Sequence, residues 1–193
     1  MEDTTAQAAG LVVTIRPEDS QDHAAVHGVV GQAFGSDVVA ELVNVLRSST
    51  AYVPGLSFVA EAGGARVGHV MLTRSWVDAQ RRLVRVLVLS PLSVAPGYHH
   101  FGIGSALVRH ALAAAAESDY PMVLLEGDPA FYGPLGFEPA AAHGITPPSV
   151  RIPPAACQVV LGTTYEPWMR GALVYADPFW AFDCVGLREE PGA

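Results

Sequence analysis

The sequence predicts an α/β protein, a mixed sheet with helices on both sides, and three observations carry that expectation. Half of the 193 residues are apolar and only 16% are charged, enough to build a real core and too apolar for a disordered chain. A hairpin pattern comes first, over residues 57–76, and a strand–helix–strand pattern follows over 82–125, an order that mixes strand directions. Within the second pattern Pro91 interrupts a near-continuous apolar run. Proline gives a ladder no N–H, so the sheet is expected to bulge or splay there.

Taken in order, the acidic and polar opening MEDTTAQAAG reads as a frayed tail over 1–10 and lacks the basic-then-apolar order of a secretory leader. Residues 11–190 then read as one domain. A β-branched strand over 11–15 ends at Arg16-Pro17-Glu18-Asp19. Asp22 opens a helix to about Phe34, with Val26, Val29, Val30 and Phe34 at helical spacing. Gly35-Ser36-Asp37 breaks it and caps a second helix, whose Val39, Leu42, Val43 and Leu46 share a face. The hairpin turns at Gly63-Gly64, and a strand buried on both faces follows over 82–94. From Gly104 the period becomes helical to about Ser118, with Ile103, Ala106, Leu107, His110, Ala111 and Ala114 in one stripe. A short strand over 121–125 leads to Asp128-Pro129, an N-cap and first-turn proline opening a brief helix over 130–135. Strands over 157–163 and 172–175 complete the pattern. Trp168, Phe179 and Trp180 read as core or as a pocket wall.

Charge and cysteine usage narrow the function classes. A formal charge of −8 argues against a nucleic-acid surface, which needs clustered cations. No apolar stretch approaches a membrane span. Cys157 and Cys184 sit in no metal-ligand or redox spacing and read as reduced thiols, so a cytoplasmic protein with no metal is expected.

The chemistry concentrates in VAPGYHHFGIGSALVRHAL, residues 94–112. Two glycines separate an apolar strand from an amphipathic helix, an arrangement suited to an anion. A dinucleotide fingerprint would put a small residue where Leu107 stands, and a Walker loop would follow Gly104 with Lys. Neither fits. Val94-x-Pro96-x-x-His99-x-x-Gly102-Ile103-Gly104 instead resembles the acyl-CoA loop of the GNAT superfamily of N-acyltransferases, whose usual pattern is Val-x-Pro-x-x-(Gln/Arg)-x-x-Gly-(Ile/Leu)-Gly. About thirty residues on, Phe131-Tyr132-Gly133-Pro134-Leu135-Gly136-Phe137 resembles the family's Phe-Tyr-x-x-x-Gly-Phe segment. The likeness covers roughly residues 11–140, with its core motifs over 82–140.

The resemblance implies a GNAT-like fold with a splayed central sheet and an acetyl-CoA-dependent transfer of acetyl to a primary amine of a small molecule or protein. It places the pantetheine arm on backbone groups of Leu92, Ser93 and Val94, with the Val94 N–H near the thioester oxygen. The pyrophosphate falls on backbone amides of His99, His100, Phe101, Gly102, Ile103, Gly104 and Ser105, where unpaired N–H groups and the helix dipole favour an anion. Tyr132 is the expected proton donor to the departing thiolate. Glu126 is the candidate base, with Glu61 and His69 as rivals, and Asp128 reads as a helix cap. A homodimer follows by analogy alone. The sequence departs from the family at His99, where Gln or Arg is usual, and at His100-Phe101, where the pair is often basic. That departure keeps open a non-catalytic acyl-CoA-binding or regulatory module.

Overall fold

The computed structural model describes residues 4–8 and 11–186. Its strands form a mixed sheet flanked by helices, as the sequence predicts, and the chain divides into two compact units. The first runs to Thr73 and resumes over Leu89–Ser118. It opens with β1 (Thr4–Ala8), paired antiparallel with β2 (Leu11–Pro17), Thr4 opposite Ile15. Composition reads those first residues as tail. An edge strand, however, needs only backbone partners, and β2 offers them over Leu11–Ile15. Then come α1 (His23–Phe34) and α2 (Val38–Ser48), which bury the valines 26, 29 and 30 and the residues Ala40, Leu42, Val43 and Leu46. Phe34, expected on the buried stripe, is 48% exposed because α1 ends there at left-handed Gly35.

Next, β3 (Tyr52–Ala62) and the first part of β4 (Ala65–Ala79) make the hairpin around Gly63-Gly64, with Val59 opposite His69. The end of β5 (Leu83–Val94) and α3 (Ile103–Ala116) complete this unit. Strand alternation shows how helices cover both faces. A Cβ on Gly68 would stand 2.9 Å from Leu107 Cδ1 and 3.3 Å from Ile103 Cγ2, so Gly68 faces α3. His69, the next residue, faces the side where Arg47 of α2 meets Glu18. Phe58 of β3 joins the α3 side, its ring edge-on to His110 at 4.7 Å.

The second unit takes Arg74–Val88 and the described residues from Asp119 on. Here β5 pairs in parallel with β6 (Met122–Glu126) at Leu87–Val123 and Val88–Leu124, three residues before Pro91. The run Val86–Leu89 is buried throughout, as expected of a strand covered on both faces. α4 (Pro129–Tyr132) begins where Asp128 accepts the Ala130 N–H at 2.8 Å, so the predicted cap is real. The helix is one turn shorter than expected and continues as a 3-10 turn over Gly133–Leu135. β7 (Glu138–Pro139) and β8 (Ile145–Thr146) are two-residue strands. β9 (Cys157–Leu161) pairs antiparallel with β6, and β10 (Gly171–Val174) pairs with the end of β4. A closing helix not foreseen from sequence, α5 (Asp177–Ala181), buries Phe179 completely, while Trp180 stays 42% exposed.

Candidate functional site

The predicted coenzyme residues lie together in the first unit. β5 delivers Leu92, Ser93 and Val94, and a 3-10 turn over Pro96–Tyr98 leads into the loop. His100 and Gly102 both take left-handed backbone, φ 67° and 73°, which wraps the chain into the head of α3. Gly102 accepts the Ala106 N–H at 3.0 Å, the bond that begins the helix. The amides of Ile103, Gly104 and Ser105 therefore precede any intrahelical acceptor and carry the positive end of a fourteen-residue helix. His99 and His100 are exposed, and Phe101 and Ser105 are partly so. The His99 ring bonds back to the Val94 carbonyl at 3.0 Å, tying the loop to the strand that feeds it. That contact gives the histidine that stands here in place of Gln or Arg a local role that sequence alone does not show.

Tyr132 and Glu126 belong to the second unit. Tyr132 packs edge-on against Phe131 and Phe137, at 4.8 and 5.6 Å between ring centroids. Burial disfavours its phenolate and pushes the phenol up to about 12. Gly127 forms the floor under the ring: a Cβ there would stand 2.3 Å from Tyr132 Cε2. That floor is pinned twice, by the Gly127 N–H to Ala156 O at 3.0 Å and by the buried Gln158 amide to Gly127 O at 3.1 Å. Neither Gly127 nor Gln158 stands out in the sequence. The signal that could have found Gly127 is its place between the candidate base and the cap residue.

Glu126 ends β6 opposite Cys157 and is half-buried. Burial raises its proton affinity, against the Gly186 N–H, which donates to its carboxylate at 3.2 Å, and the charge of Arg151. The buried Cys157 thiol is in turn pushed up to about 11, by burial and then by Glu126. Cys157 is buried and Cys184 partly so, both as free thiols.

The rival bases fare differently. Glu61 lies 3.3 Å from Arg16 and 3.9 Å from Arg66, two guanidinia that also clamp the buried Asp22. It is an ion-pair member. His69 is 0% exposed, 3.1 Å from Ser57 Oγ and 3.6 Å from Glu18. Glu18 also receives Ser57 and Arg47. Burial alone would raise Glu18, but hydrogen bonds from His69, Ser57 and Arg47 outweigh it and hold the carboxyl at about 2. Burial pushes His69 the other way, down, in spite of Glu18.

Comparison with known proteins bears on what this geometry does. Residues 54–139 match the family model described as Acetyltransferase (GNAT) domain. The chain is 30% identical over 168 residues to the uncharacterized N-acetyltransferase YjhQ of Escherichia coli K12, covering 86% of this chain and 93% of that one. It is 33% identical over 131 residues to the uncharacterized N-acetyltransferase YhbS of the same strain, covering 68% and 77%. Among solved structures, Escherichia coli YhbS in complex with CoA superposes with a TM-score of 0.77 at 28% identity, over 90% of this chain and 95% of that one. A GNAT family acetyltransferase from Brucella melitensis in complex with acetyl-CoA gives 0.69 at 26%, over 86% and 97%.

Proposed function

The chain belongs to the GNAT family of N-acetyltransferases, and from that premise we propose that it transfers acetyl from acetyl-CoA to a primary amine of a small molecule or protein. The observation that carries the reading is the loop from Val94 to Ser105, an amide-rich turn feeding the positive end of α3 with no cationic side chain in it. Two structural relatives that superpose over most of their length were solved with CoA or acetyl-CoA, which supports the same co-substrate here.

In this reading the amides of His99 to Ser105 hold the pyrophosphate. The pantetheine arm lies along Leu92, Ser93 and Val94 in the manner of an added strand, and the Val94 N–H polarises the thioester carbonyl. Tyr132 supplies a hydrogen bond, then a proton, to the departing thiolate. A phenol raised to about 12 stays protonated, which suits a donor. Glu126 is the carboxylate that receives the acceptor's ammonium, its raised proton affinity favouring proton uptake nearer neutral pH. We take residues 11–190 as one catalytic domain, because the family match draws on both units. We further propose a cytoplasmic protein, in keeping with the free thiols of Cys157 and Cys184.

Calorimetric titration with acetyl-CoA, followed by thiol release over a panel of primary amines, tests the proposal. Binding with amine-dependent release supports it. Binding without release across the panel would instead favour the acyl-CoA-binding module.

A further inference from the structure

His69 sits in a buried network that the transfer scheme above leaves idle. Ser57 gives its single hydroxyl proton to the Glu18 carboxylate, so toward His69 Nε2 its oxygen can only accept. That places the imidazole proton on Nε2 and leaves Nδ1 as a bare lone pair. Nδ1 is buried and has no hydrogen-bond partner among the described residues. A buried polar atom left without a partner is costly and calls for an occupant.

Ser93 repeats the pattern from the neighbouring strand. It is 3% exposed, and its Oγ also has no partner among the described residues. The Ala95 N–H donates to Val67 O at 2.9 Å, and Ser93 O lies 3.2 Å from the position of a Cβ on Gly68. As β4 advances from Val67, β5 therefore recedes from Ala95, and two steps along each strand bring His69 opposite Ser93 on the face turned away from α3. Opposed Cβ atoms in such a pair stand about 4.5–5.5 Å apart. Neither Nδ1 nor Oγ has a partner among the described residues, so no hydrogen bond joins them directly and a proton passing between them needs a bridging water. Ser93 is also one of the three residues on which the thioester arm is placed.

We infer that His69 is the base that takes the acceptor's proton, with Ser93 as its relay and Glu18 as the group that sets its tautomer. This rests on the acetyl-transfer reading and narrows Glu126 to pairing with the arriving ammonium. One N–H bond of the ammonium breaks as its proton passes to Ser93 Oγ, directly or across one water. The Ser93 hydroxyl proton meanwhile passes to a bridging water, and a proton of that water forms the Nδ1–H bond. Glu18 balances the imidazolium, and Arg47 of α2 and Asp22 at the head of α1 are the other charges acting on it. The freed nitrogen lone pair forms the C–N bond and the C–S bond breaks. The nitrogen's excess proton goes to the thiolate through Tyr132, and His69 returns its own to solvent. The neutral imidazole that burial favours is the form this step requires.

Titration of the unmodified protein with acetyl-CoA isolates the underlying reading: absence of binding removes that reading, and this inference with it. With binding in place, thiol release is compared for His69→Gln, Ser93→Ala and Ser93→Thr across neutral and mildly acidic pH. His69→Gln and Ser93→Ala should each lose at least about 10²-fold in kcat with acetyl-CoA affinity unchanged. His69→Gln should also abolish the acidic limb of kcat/KM, and Ser93→Thr should recover most of the loss. Near-normal kcat with the same acidic limb in His69→Gln overturns the inference. Should that variant not fold, nitrogen NMR of the unmodified protein decides: a proton on Nε2 and an Nδ1 signal that moves in Ser93→Ala support it, and a proton on Nδ1 overturns it.

Discussion

Tyr132 earns its place in the proposed chemistry through its surroundings. The ring is wedged between Phe131, Phe137 and the bare backbone of Gly127, so the hydroxyl has little freedom to wander. Tyr132→Phe removes the donor and little else. It should lower kcat by about 10²-fold while acetyl-CoA affinity, measured by calorimetry, stays within about twofold. Because the phenol is held at about 12, no alkaline fall in kcat assignable to Tyr132 should appear below about pH 11. Gly127→Ala makes a sharper test of position. A methyl 2.3 Å from the ring must displace it, and overpacking of this kind costs about 1–3 kcal/mol. Thermal melting should report that loss, and kcat should fall while Tyr132 itself remains. Unchanged turnover in Gly127→Ala would mean that the ring's position is not used.

Among the elements, the loop into α3 and the Asp128 cap were legible in the sequence because each is a local pattern, complete within a dozen residues. The hidden parts depend on register. His69 meets Ser57 only because β3 and β4 pair Val59 with His69, and it meets Glu18 because a turn after β2 reaches the same face. No spacing along the chain announces that convergence. The same logic hid α5, a five-residue helix too short for its period to show. For α3 the account predicts coenzyme binding held by backbone amides and a dipole at close range. Raising salt from about 0.05 to about 0.5 M should then weaken acetyl-CoA affinity by less than about tenfold. His100→Ala should leave that affinity nearly unchanged, since its side chain is solvated. A steep salt dependence would point to cationic side chains that the loop does not contain.

For the molecule as a whole, acid stability should follow Glu18. Its carboxyl is held at about 2 against an ordinary 4.5, so the folded state binds its proton less readily than the unfolded chain does. The stabilisation is fully present above about pH 4.5 and drains away as pH falls toward 2, on the order of 3 kcal/mol in all. Urea midpoints for the unmodified protein should therefore drop through this window, and Glu18→Gln should flatten part of that drop while lowering stability at neutral pH. The chain's charge of −8 and its lack of lysine leave arginines as its cations, and four of them are spent in ion pairs with acids among the described residues. The most direct measurement is thiol release from acetyl-CoA with a primary-amine panel, made on the unmodified protein beside Tyr132→Phe. The account predicts amine-dependent release that collapses in the variant although both proteins bind the coenzyme. Release that proceeds equally in both, or no binding of acetyl-CoA by either, would contradict it.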